Sequence, residues 1–190
     1  MGVVGTLLKN RRAGEEKLAW NLPNLSAPET LTLTSDAFGD GEAIPAEYAG
    51  KRAGGRNLSP QLSWSVPPAG TAELLLVVED ADAPMPRPFV HCLALIEPQV
   101  RALPPGGLTA RNPAAGVRVL RSGMGRGYLG PEPIKGHGPH RYTFQLFALA
   151  TAAAADDGAA AAERARPRAL LSAVSGPVLA KGRLTGIYER

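Results

Sequence analysis

The stretch from Gly123 to Tyr142, GMGRGYLGPEPIKGHGPHRY, most constrains what this chain can become. Prolines at 131, 133 and 139 among repeated glycines exclude a helix or an interior strand there. What they leave is a long ordered loop that delivers side chains to a site. A flexible surface loop is the plainer alternative. Against it, basic, aromatic and imidazole groups are interleaved with the glycines, and an apolar run, Tyr142 to Leu149, follows at once.

Short strands and turns surround that loop. Leu31 to Ser35 alternates apolar and polar residues, and turns at Phe38 to Gly41 and Asn57 to Pro60 precede Leu62 to Ser65. Leu74 to Val78 and Val90 to Ile96 are continuous apolar runs, the pattern of central strands covered on both faces. Val117 to Leu120 is a shorter candidate, and in Tyr142 to Leu149 the residues Phe144, Leu146 and Ala148 share one face. Strands at this spacing, with 22 glycines and 18 prolines to turn them, predict a mainly β, antiparallel sandwich. Thr151 to Ala162 is alanine-rich and reads as a loose surface loop with some helix. Pro167 to Val174 predicts a helix stopped by Gly176 and Pro177, and Leu179 to Tyr188 a last strand.

A chain of 190 residues with 44% hydrophobic and 20% charged side chains suits one domain with a real core. The texture divides it into an N-terminal arm and linker, 1–29, and a domain, 30–190. In the arm Val3, Val4, Leu7, Leu8 and Leu18 lie near helical spacing among Lys9, Arg11, Arg12, Glu15, Glu16 and Lys17. Such an arm packs on its own domain, joins a homodimer or attaches to an anionic membrane surface; Glu15 and Glu16 disfavour the last. The net charge of +4 is modest and no aromatic–basic pattern is present, so no nucleic acid partner is expected. No apolar run has the length of an integral membrane segment. A single cysteine, Cys92, and an N-terminus without a signal-like apolar core predict a cytoplasmic protein.

Several motifs carry chemistry. Gly125–Arg126–Gly127–Tyr128–Leu129–Gly130 matches G-x-G-x-x-G, but Pro131 and Pro133 forbid the helix a dinucleotide site needs. Glu79 to Pro84 closes a central strand; alternation would point Asp80 and Asp82 one way and Glu79 the other. These carboxylates either cap a loop or floor a polar site. His91 opens one strand, and His140 with Tyr142 opens another, so the strand ends would converge on a small pocket. No H-x-x-x-H or C-x-x-C spacing marks a metal site, no cofactor is called for, and no G-x-S-x-G elbow singles out Ser59, Ser63 or Ser122. His91 and Cys92, adjacent in a strand, should face opposite sides, which disfavours a Cys–His dyad.

Asn57 to Trp64, Asp80–Ala81–Asp82–Ala83–Pro84, His91, Gly127 to Pro131 and Gly136 to Tyr142 together resemble the phosphatidylethanolamine-binding protein family, in its bacterial Raf-kinase-inhibitor-like branch. The resemblance runs from about Leu31 to Tyr188. Ala81 stands where the family has proline, Phe89 or Val90 where it has tryptophan, and Ile134 where proline is common. It implies a Greek-key β-sandwich with short helices, one near the C-terminus. It also implies a small anion-binding pocket lined by Asp80, Asp82, His91, Gly130, Pro131, His140 and Tyr142. The expected function is non-enzymatic binding of phosphate or a phosphorylated headgroup, with a possible regulatory or inhibitory role toward a protein target. The alternatives are a hydrolase or lyase using an Asp/His acid–base pocket, or an inhibitor of a kinase or protease. The resemblance further implies a cis peptide bond near the pocket, expected at Arg87–Pro88 because an X–Pro bond makes it cheap, with a slow refolding phase as its consequence.

Overall fold

Alternation along three long strands decides the architecture. In the computed structural model, which describes residues 2–153 and 159–190, β3 (Glu73–Asp80), β4 (Phe89–Ile96) and β9 (His140–Leu149) lie together, with β10 (Val178–Tyr188) beside β9 and β6 (Val117–Val119) beside β4. All pairings in this five-stranded sheet, of order β10-β9-β3-β4-β6, are antiparallel. A second sheet of β1 (Leu33–Thr34), β2 (Leu62–Trp64) and β5 (Ala102–Leu103) packs across it. Leu74, Leu76 and Val78 of β3, with Phe144, Leu146 and Ala148 of β9, meet Leu33, Leu62, Trp64 and Leu103 from the smaller sheet. That is the expected sandwich.

The opposite face explains why the central runs are apolar throughout. Leu75 and Val77 of β3 and Phe147 and Leu149 of β9 are covered by Leu18, Ala19, Trp20 and Leu25 from the arm and by Leu170, Leu171 and Val174 near the C-terminus. These last come from α3 (Pro167–Ala173), with Pro167 at the helix start as its fixed φ allows, and from the residue that follows it. α2 (Ala159–Arg164) precedes it; the middle of the alanine-rich run, 154–158, lies outside the described residues.

The arm departs from its helical spacing. The helix α1 covers only Val3–Leu8, and the chain then bends at Gly14, whose φ of +101° a side chain rarely tolerates. Gly14 N donates to Ala81 O at 2.9 Å, after which single turns place Leu18 to Leu25 on the sheet. The stretch read as a linker thus carries Leu25, fully buried.

The connection between β3 and β4 also differs from expectation. Every described peptide bond is trans, Arg87–Pro88 included, so the expected cis bond is not formed. A Met85 N to Ala83 O bond of 2.7 Å tightens the turn, and the chain bends through residues 83–87 without the less favoured isomer.

Candidate functional site

The ends of β3, β4 and β9 meet at a cleft of about 340 Å³. Five of the expected residues line it: Asp80, His91, Gly130, His140 and Tyr142. Two do not. Pro131 is buried beside it, with its carbonyl accepting from Gly50 N at 3.0 Å. Asp82 turns toward the arm. Its carboxylate accepts from Arg141 N and Nε, both at 2.8 Å, from Arg141 Nη2 at 2.7 Å, and pairs with Arg12 at 2.7 Å. Burial alone would raise its pKa; the Arg141 and Arg12 bonds outweigh that and hold it down at about 2.

Alternation fails for Asp82 because the strand has ended. Asp82 N donates to Asp80 Oδ1 at 2.8 Å, an Asx turn that rotates the chain out of its extended path. Glu79, as expected, points to the opposite face. There it is fully buried, ion-paired with Arg168, and accepts from Ala19 N at 2.7 Å and Gln145 Nε2 at 2.9 Å.

His91 occupies a β-bulge. Val78 pairs with Cys92 and Glu79 with Val90, so His91 is the extra residue. Cys92 packs in the inter-sheet core with Tyr142, and the His91 ring lies edge-on to Tyr142 with centroids 5.0 Å apart. Both residues therefore lie on the same side of β4, contrary to strict alternation. No dyad results: the Cys92 thiol is buried and pushed up to about 12, far from an activated thiolate.

Polar contacts fix which atoms remain for a ligand. His91 Nδ1 lies 2.7 Å from Leu129 O; a carbonyl only accepts, so Nδ1 carries the proton and Nε2 is left to the cleft. Burial lowers the His91 pKa, the nearby Asp80 charge opposing it, so the ring is neutral near pH 7 and Nε2 is an acceptor. The Tyr142 hydroxyl is buried without a partner among the described residues, and burial raises its pKa, keeping it a proton donor. Arg52 stands at the mouth. The Gly130 N–H is taken by Asn57 Oδ1 at 2.7 Å, so this glycine serves close packing instead: a Cβ there would sit 2.5 Å from Gly50 N.

His140 presents its ring to the cleft, but both nitrogens are engaged. Nδ1 lies 2.7 Å from Asp80 Oδ2, and Nε2 lies 2.6 Å from His137 Nδ1. His137 Nε2 in turn reaches Leu8 O at 2.8 Å and Arg11 O at 3.1 Å in the arm. Sequence reasoning missed His137 as a support. The available signal was its position three residues before His140 in a glycine-flanked bend, which folds two imidazoles together. Asn57 was missed too; it adopts φ +57°, tolerable for asparagine, and its amide pins the 128–130 segment to the cleft wall.

Fold and site together define an antiparallel β-sandwich protein with a small, mixed polar and apolar cleft at the strand ends. The family model for phosphatidylethanolamine-binding protein matches residues 34–189, and the chain belongs to that family. Among similar proteins, "Putative lipoprotein LppC" of Mycobacterium tuberculosis is 40% identical over 166 residues, covering 86% of this chain and 74% of the relative. Two solved structures share the fold. The phosphatidylethanolamine-binding protein homologue CT736 of Chlamydia trachomatis is 31% identical with a TM-score of 0.69, covering 84% of this chain and 97% of the other. YbcL of E. coli is 27% identical with a TM-score of 0.67, covering 84% and 98%. Among the described residues no helix is long and apolar enough to cross a membrane.

Proposed function

We propose that this chain is a non-enzymatic binding protein whose cleft takes a small anion, phosphate or a phosphorylated headgroup. The observation that carries this reading is the Tyr142 hydroxyl, buried beside His91 and without a partner among the described residues. A buried hydroxyl left unpaired is costly, and a ligand oxyanion is the partner that would satisfy it. A neutral His91 Nε2 accepts from a P–OH group, so the fit is to a protonated phosphate or phosphate ester, with Arg52 supplying positive charge at the mouth. Titration with phosphate and phosphoethanolamine, followed by NMR, tests it. Shifts at His91 and Tyr142 that strengthen as pH falls are expected; none at either residue would end the reading.

The Asp80–His140 pair favours a second reading, acid–base catalysis on a small metabolite. Against it, neither His140 nitrogen is free to exchange a proton with a ligand while His137 and Asp80 hold them. A substrate screen decides: turnover lost in His140→Ala and kept in Val66→Ser would reverse the ranking. A regulatory or inhibitory role toward a protein target would use the same mouth, and a pull-down with loop-substituted chain tests it. The cytoplasmic setting rests on the single cysteine; the name of the mycobacterial relative points instead to a membrane-attached setting for that protein.

A further inference from the structure

Seven large hydrophobic side chains are exposed among the described residues, and their placement is uneven. Met85, Met124 and Ile134 stand on three separate loops around the cleft mouth. Val3, Val4 and Leu7 are on α1, 72%, 59% and 79% exposed. Only Val66 lies elsewhere.

The arm helix is seated beside that mouth by close backbone contact. A Cβ at Gly5 would fall 2.3 Å from Lys135 O and 2.7 Å from His137 N, and one at Gly2 would fall 2.1 Å from Lys135 O. Ile134, the neighbouring residue, is part of the mouth. At 3.6 residues per turn, Val3 and Leu7 fall on the side opposite Gly5, so the seated helix turns them outward. The charge around them is biased. Residues 2–14 hold Lys9, Arg11 and Arg12 and no acid. Arg12 is spent on Asp82, whereas Lys9 and Arg11 are exposed, as is Lys135. Arg52 and Arg190 add to the same side, since Arg190 reaches Arg52 O and its own carbonyl takes Gly136 N. Two carboxylates also lie there: Glu132, whose oxygen is engaged by Arg52 N, and Glu189, next to Arg190 in the chain. Glu15 and Glu16, which argued against a membrane contact in the sequence, pair instead with Arg141 and Lys17, beyond the bend at Gly14.

We infer that the outward face of α1 together with the Met85–Met124–Ile134 rim docks on an anionic phospholipid surface. Isolated aliphatic and thioether side chains ringed by lysine and arginine suit the boundary between headgroups and acyl chains. A protein partner would call for a flatter patch with aromatic anchors, and the exposed set contains none. The inference does not depend on what the cleft holds.

The test is co-sedimentation of the full chain with vesicles of phosphatidylcholine alone and of phosphatidylcholine with phosphatidylglycerol. Partition onto the phosphatidylglycerol vesicles, weakened by salt, is expected. The variant Val3→Ser/Val4→Ser/Leu7→Ser should partition about tenfold less, in line with lost apolar burial, while its phosphate titration matches the wild type. His91→Ala should partition as the wild type does. No partition of the wild type, or equal partition of the arm variant, overturns the proposal. Loss of partition in His91→Ala also overturns it, because the cleft and not the surface would then carry binding. An arm-dependent dimer in light scattering without vesicle binding would give this face to a second copy of the chain.

Discussion

His137 Nδ1 lies 2.6 Å from His140 Nε2, and this bond joins the arm to the floor of the cleft. The contacts run Asp80 to His140 to His137 to the carbonyls of Leu8 and Arg11, each link needing one proton. Carbonyls only accept, so His137 Nε2 is protonated. All three side chains are buried, so each link is shielded from water.

Removing the middle ring should therefore be felt at both ends. His137→Ala leaves a His140 nitrogen buried and unpaired, costing about 1–3 kcal/mol in urea denaturation. It should also speed proteolysis between Lys9 and Arg12, because the carbonyls of Leu8 and Arg11 lose their anchor. A variant as stable as the wild type with an unchanged cleavage rate would contradict the relay.

Tyr142→Phe separates ligand from fold. The hydroxyl bonds to no described residue, so its removal should leave stability unchanged or slightly raised. Phosphate affinity should fall about tenfold, the worth of roughly 1.4 kcal/mol. Calorimetry with and without phosphate reads both; a destabilised variant with full affinity would show the hydroxyl to be structural.

Asp82 predicts an acid limb. Its folded pKa, about 2, lies below the ordinary 3.8, so its contribution is present above pH 4 and lost as pH falls from about 4 to about 2. The loss is on the order of 2 kcal/mol. In Asp82→Asn, already weaker at neutral pH, stability should vary less across that window. An identical acid limb in the variant would remove Asp82 from the explanation.

On the far face, fully buried Glu79 is ion-paired with half-buried Arg168, and the cleft does not use the pair. Arg168→Met strands the carboxylate and should cost about 3–5 kcal/mol, whereas Arg168→Met/Glu79→Gln should recover part of it. Denaturation midpoints of the three chains check this, and phosphate binding should not change among them.

Much of this was legible in the sequence because burial on both faces leaves no ambiguity: Leu74 to Val78 and Val90 to Ile96 read as central strands and are. Asp80, His91, His140 and Tyr142 were legible from their places at strand ends. What escaped depends on backbone detail that side-chain periodicity does not encode. The bulge at His91 breaks the alternation used for Cys92, and the Asx turn at Asp80 breaks that used for Asp82. The two-residue strands β5, β7 (Arg121–Ser122) and β8 (Gly125–Arg126) are too short to carry a period. Trp20 shows only as an apolar residue in an amphipathic arm; nothing local says that Lys181 lies over its ring, 4.1 Å from the centroid.

The cleft draws its floor and its mouth from different parts of the fold. Asp80, His91 and Tyr142 sit on strands flanked by neighbours on both sides, while Met85, Met124 and Ile134 sit on connections between them. Such connections open at far lower free energy than the strands beneath. A guest can thus come and go while the floor keeps its shape. The mouth can also be resized by substituting these three side chains, none of which bonds to the floor, so proteins with the same floor are free to admit different guests.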